Sequence, residues 1–138
     1  MDQTLEVINK TVAKTYDWVG AVVERADLDD LHDGFQVLRA VLHALRDRVE
    51  PDVAAHLAAQ LPLLLRGVFY EGWDPGRSLQ RSSVTEFLAR VEREAGLKGT
   101  SEAEDATRAV ITVIGEEAGY GTVDHLAAVL PKEFGTFL

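Results

Sequence analysis

The chain has 138 residues, no cysteine, a formal net charge of −9 and a 46% hydrophobic share. That size and apolar content suit one compact domain rather than a disordered chain, and the missing thiols exclude disulfides and thiolate chemistry. The charge is shared, −4 over residues 1–69 (7 basic, 11 acidic) and −5 over residues 70–138 (7 basic, 12 acidic), so the sequence segregates no basic patch for a nucleic-acid backbone or an anionic membrane surface.

Charged residues from Asp2 through Glu6, Lys10, Lys14, Asp17, Glu24 and Arg25 leave no uncharged segment for a signal peptide. No apolar run approaches the ~20 residues that span a bilayer. The expectation is a cytoplasmic protein with neither a membrane nor a nucleic-acid partner.

In chain order, Trp18, Val19, Val22 and Ala26 recur at spacings of three and four and predict a first helix. "DLDDLHDG" (27–34) concentrates four aspartates. As a calcium loop starting at Asp29 it fails at position three (Leu31) and position twelve (Ala40). It reads instead as an acidic helix start. Phe35, Leu38, Val41, Leu42, Leu45 and Val49 predict the second helix. Pro51 suits the first turn of a third, which carries Val53, Leu57 and Leu61 and ends or kinks at Pro62. A last turn, Leu63–Phe69, follows. Asp74-Pro75-Gly76 predicts a tight turn. Ser83–Glu86 and Ser101–Glu104 each fit a capping box, and Gly96 and Gly119 fit helix ends in a left-handed residue.

The phrase "HLAAQLP" (56–62) returns as "HLAAVLP" (125–131), 69 residues later. At that offset residues 38–69 lie over 107–138 without a gap, with nine of 32 positions identical and Asp47 facing Glu116. Helical periodicity returns too, in Phe87, Leu88 and Val91, then Val110, Ile111 and Ile114, then Val123, Leu126 and Leu130. The expectation is an all-α fold: a compact helical bundle of two tandem pseudo-symmetric units, each of about three helices plus a short terminal turn. The units span about 1–69 and 70–138, are joined by a loop at 71–82, and pack around a pseudo-twofold axis as a single domain over 1–138.

"LRAVLHALRDRV…AAHLAAQLPLLLRGVFYEGWDP", with "EFLARVEREAGL…AEDATRAV…HLAAVLP", resembles the bacterial domain-of-unknown-function family 2267, from about Tyr16 to Phe134. The resemblance implies a bacterial, all-helical protein of duplicated units without an established activity, and it supplies no catalytic residues. The second unit reads "PKEFGTFL" where the first reads "PLLLRGVF". Arg66-Gly67 and the aromatics after it therefore have no second copy.

Two functional readings follow. In the first, a non-catalytic module self-associates or binds a protein partner through Arg66, Tyr70, Trp73 and Arg77, residue types that anchor interfaces. The blander account of that segment is a lid, with Tyr70 and Trp73 folded over the seam between units and Arg66 capping helix carbonyls or pairing with a carboxylate. In the second, a small-molecule or enzymatic site occupies the groove between the units, using Arg39, His56, Arg108 and His125, the polar residues both units retain. His56 and His125 are expected to bond backbone carbonyls; a facing pair that binds a metal or shuttles a proton is the alternative. Ser78, Ser82, Ser83 and Ser101 sit in loop or cap contexts with no nucleophile elbow, and Glu116-Glu117 reads as a solvated face. No cofactor, metal or catalytic set is expected.

Overall fold

The computed structural model describes residues 3–77 and 81–138. Ser78 and the middle of the 71–82 loop lie outside them. The described residues form seven α-helices and a closing 3-10 helix: α1 (Gln3–Ala26), α2 (Leu31–Arg48), α3 (Pro51–Ala59), α4 (Leu63–Tyr70), α5 (Val84–Ala95), α6 (Thr100–Ala118), α7 (Tyr120–Val129), then Lys132–Phe137. No strand occurs among them.

The local chemistry explains most boundaries. Asp30 caps α2, its Oδ1 accepting from the Asp33 amide at 2.9 Å, so the aspartate cluster is a helix start. Pro51 occupies the first turn of α3, and Pro62 and Pro131 each stand between two helical segments. Ser83 and Glu86 form a complete capping box, with Ser83 Oγ accepting from the Glu86 amide and Glu86 Oε1 from the Ser83 amide. Gly96 ends α5 in the left-handed region at φ 68°.

Two expected boundaries differ. The Ser101–Glu104 box does not form, because α6 starts two residues early at Thr100, with Gly99 at φ 93° in the capping position instead of Ser101. The open amides of that corner are met by acids instead. Glu92 of α5 accepts from the Gly99 amide and Glu102 from the Lys98 amide. Gly119 has positive φ (106°) but extended ψ (144°) rather than the left-handed conformation. Since α7 begins at the next residue, the chain has to turn in a single step.

Adding 69 to Leu31, Pro51 and Leu63 gives Thr100, Tyr120 and Lys132, where α6, α7 and the 3-10 helix begin; α1 and α5 end at Ala26 and Ala95, again 69 apart. In the bundle α1 lies on α6, α2 on α5 and α2 on α6. Leu38, Val41, Leu42 and Leu45 of α2 meet Val110, Ile111 and Ile114 of α6, Trp18 and Val22 of α1 and Phe87 and Val91 of α5 in one buried cluster. The α1–α2 crossing is tight at Gly34, where a Cβ would stand 2.9 Å from the Val19 carbonyl oxygen. The N-terminal part of α1 leaves Leu5, Ile8, Val12 and Tyr16 exposed.

Candidate functional site

Along α2, Arg39, His43 and Arg46 recur at spacings of four and three, so they share one face of an otherwise apolar helix. All three grip the end of α4 and the segment after it. Arg39 Nε pairs with Glu71 Oε1 at 2.9 Å. His43 Nε2 lies 2.7 Å from the Val68 carbonyl oxygen, which makes it the donor. Arg46, only 5% exposed, donates through Nη1 to the carbonyls of Phe69 (2.8 Å) and Glu71 (2.7 Å). These are carbonyls that the C-terminus of a short helix leaves without internal partners.

The remaining donors of Arg46, Nε and Nη2, form a fork on Asp47 at 2.9 and 3.0 Å. Asp47 Oδ2 also receives Arg90 Nη1 of α5 at 2.9 Å, and Arg90 Nε reaches Glu94 at 3.0 Å. The chain of contacts therefore runs from α4 through α2 to α5, across the two halves. Glu116, which aligns with Asp47 at the 69-residue offset, pairs with Arg25 of α1. Glu116 and Glu117 are both exposed, as expected of a solvated face.

These side chains enclose an open polar groove of about 540 Å³ between α2, α5 and the 71–77 segment. Five arginines line it: Arg39, Arg46, Arg77, Arg90 and Arg93. They face three carboxylates, Asp47, Glu71 and Glu94. A smaller cavity of about 230 Å³ adjoins it, between the α2–α3 junction and the segment carrying Trp73.

Protonation follows from this setting. Burial pushes His43 below its ordinary value of 6.5, with Arg46 and Arg39 adding to the shift, against the opposing Val68 hydrogen bond and the Glu71 charge. Burial alone would raise Asp47, but its hydrogen bonds to Arg46 and Arg90, together with their charges, leave it below 3.8. Glu71 is lowered mainly by its hydrogen bond to Arg39. Both His43 and Asp47 bind protons more weakly folded than unfolded, so the unfolded chain gains protons first as pH falls. Stability is therefore expected to decline as pH drops below 6.5, from His43, and again below 3.8, from Asp47. Urea unfolding across that range checks this, with His43→Gln flattening the upper step; an unchanged slope in that variant contradicts it.

The anticipated site residues divide. Arg39 and Arg77 line the groove. Arg66 caps α3, donating to the carbonyls of Ala58 (3.1 Å) and Leu61 (3.4 Å). Tyr70 and Trp73 are half-buried, stack with ring centroids 5.2 Å apart and pack against the core, the arrangement of a lid. The interface reading of this segment requires these aromatics to be exposed, whereas both are half-buried. Asp74 makes the expected turn, with its carbonyl accepting from the Arg77 amide and its Oδ1 from the Gly76 amide, while the left-handed glycine is Gly72 at φ 68°.

His56 and His125 were expected on carbonyls; instead their rings touch, with centroids 4.7 Å apart, on an exposed surface, because α3 and α7 present the repeated position toward each other. Among the described residues no group of three or more His, Cys, Asp or Glu side chains is placed to hold a metal ion. Arg108 lies apart, over the Phe137 ring at 5.8 Å and near Asp105 at 3.4 Å. The four retained polar residues thus do not converge on one groove. The residues that the sequence reading passed over are His43, Arg46, Asp47, Arg90 and Arg93. The available signal was polarity at helical spacing on α2 with no counterpart at 112 and 115, which are Thr and Gly.

The seven α-helices of the described residues around one core, with an arginine-lined groove between α2, α5 and the 71–77 segment, define the class of this molecule: an all-α bundle. Residues 15–137 match the family described as an uncharacterized conserved protein, DUF2267, and the chain belongs to that family. No curated protein matches the chain. Among the described residues no helix is long and apolar enough to cross a membrane.

Proposed function

We propose that the protein is a non-catalytic binding module that takes a small anionic ligand in the groove between its halves. The carrying observation is the charge of the groove lining, five arginines against three carboxylates in a chain whose net charge is −9. Local positive charge on an acidic protein draws a compact anion inward, while the overall charge repels a long polyanion. The protein-interaction reading of residues 66–77 draws less support, since Tyr70 and Trp73 pack inward and Arg66 is engaged by carbonyls.

The groove is read as the seam between two copies of one unit related by an approximate twofold. Helix starts that recur at 69 residues and the contact of His56 with His125 support this. A poor superposition of residues 38–62 on 107–131 would contradict it.

Thermal unfolding in citrate and in choline chloride at matched ionic strength tests the binding reading. A ligand present at 100 times its Kd stabilises the folded state by about 2.7 kcal/mol, which is several degrees in a domain of this size. The expected result is a higher midpoint in citrate that Arg93→Glu abolishes. Equal midpoints in the two salts would contradict it.

A further inference from the structure

Resting on that reading, we infer that the ligand's recognised group is a phosphate dianion, held between Arg77 of the linker and Arg93 of α5.

The first ground is the state of each charge in the groove. Asp47 is occupied by Arg46 and Arg90, Glu71 by Arg39, and Glu94 by Arg90. Every carboxylate of the lining is therefore already paired. Among the described residues Arg77 and Arg93 have no ion-pair or hydrogen-bond partner for their side chains, and both are exposed. The excess is two guanidinium groups, which matches one dianionic head.

The second ground is chemistry. No lysine lines the groove. Guanidinium presents a planar fork of donors that stays charged at any physiological pH and pairs with phosphate oxygens two at a time. Two forks reaching from separate elements suit the several oxygens of a tetrahedral group, whereas one planar carboxylate has only two.

The third ground is the shape and lining of the site. The groove is open, and nine of its ten lining residues carry a charged or histidine side chain: Arg39, His43, Arg46, Asp47, Glu71 and Arg77 on one side, faced by three more from α5. There is no aromatic or aliphatic platform in that lining on which a base or a hydrocarbon would rest. Recognition therefore falls on the charged head. The floor is held in place from beneath by Arg46 and His43, which are committed to the carbonyls of Val68, Phe69 and Glu71.

Isothermal titration calorimetry at low ionic strength, with inorganic phosphate, pyrophosphate and succinate as probes, tests the assignment. The proteins are the full chain and its Arg77→Ala, Arg93→Ala and doubly substituted variants, each checked for an unchanged unfolding midpoint. The expected result is that phosphate and pyrophosphate bind more tightly than succinate. Each single substitution is expected to weaken phosphate binding about tenfold, and the double substitution to abolish it. Succinate binding as tightly as phosphate would overturn the phosphate assignment and leave the anion reading standing. Phosphate binding that survives the double substitution would overturn the site. Failure of all three probes would overturn this inference and the anion reading together.

Discussion

Arg46→Ala is expected to destabilise the fold by about 3 kcal/mol, the cost of breaking a buried ion pair from one side. The side chain is 5% exposed and serves two masters, a fork onto Asp47 and two carbonyls at the end of α4. Its removal leaves the Phe69 and Glu71 oxygens without a donor, at about 1–3 kcal/mol for a buried group, and leaves Asp47 to Arg90 alone. Arg46→Lys keeps the charge but not the fork, so it recovers only part of the loss. Guanidinium unfolding measures both variants, with the midpoint falling at an unchanged slope. A loss below about 1 kcal/mol, the size typical of an exposed pair, would mean that Arg46 does not hold α4 in place.

Phe69→Ala is expected to cost about 3–5 kcal/mol, the range for deleting a large buried side chain and leaving a cavity. Phe69 is fully buried and meets Tyr70 edge to face at 5.4 Å, at the end of a helix of eight residues. So short a helix has little stability of its own and depends on the packing of its apolar face. Its loss would also release the carbonyls that Arg46 and His43 hold, so the groove should loosen with it. Unfolding by denaturant, followed by circular dichroism, reads the effect. A cost under about 1.5 kcal/mol, the level of a tolerated core swap, would contradict the packing described.

The helices and most of their ends were legible in the sequence. Pro51, Pro62 and Pro131, the Ser83–Glu86 box and Gly96 act through local backbone chemistry, which neighbouring residues determine. The Ser101–Glu104 box does not form because α6 starts earlier, after Gly99, whose amide is met by Glu92 of the preceding helix. The 69-residue interval recurs between the starts of α2 and α6, of α3 and α7, and of α4 and the closing 3-10 helix.

The groove was much less legible. Arg39 and Arg77 were singled out, but for different sites, and only the chain's path brings them together. Arg46 and His43 sit among leucines and valines on α2, and nothing local says that α4 will end against them. Asp47 was noted only as the counterpart of Glu116. Its partner Arg90 lies 43 positions along the chain, and that pairing depends on how α2 and α5 cross. His56 and His125 illustrate the reverse case: the 69-residue offset aligns them, but only the fold brings their rings into contact.

The most direct measurement is the arginine Nε–Hε nuclear magnetic resonance spectrum of the labelled protein during titration with pyrophosphate. The resonances of Arg77 and Arg93 should shift together and saturate, while Arg66 and Arg108, outside the groove, stay still. Shifts spread evenly over all the arginines, or no shift at Arg77 and Arg93, would contradict an anion seat between the halves.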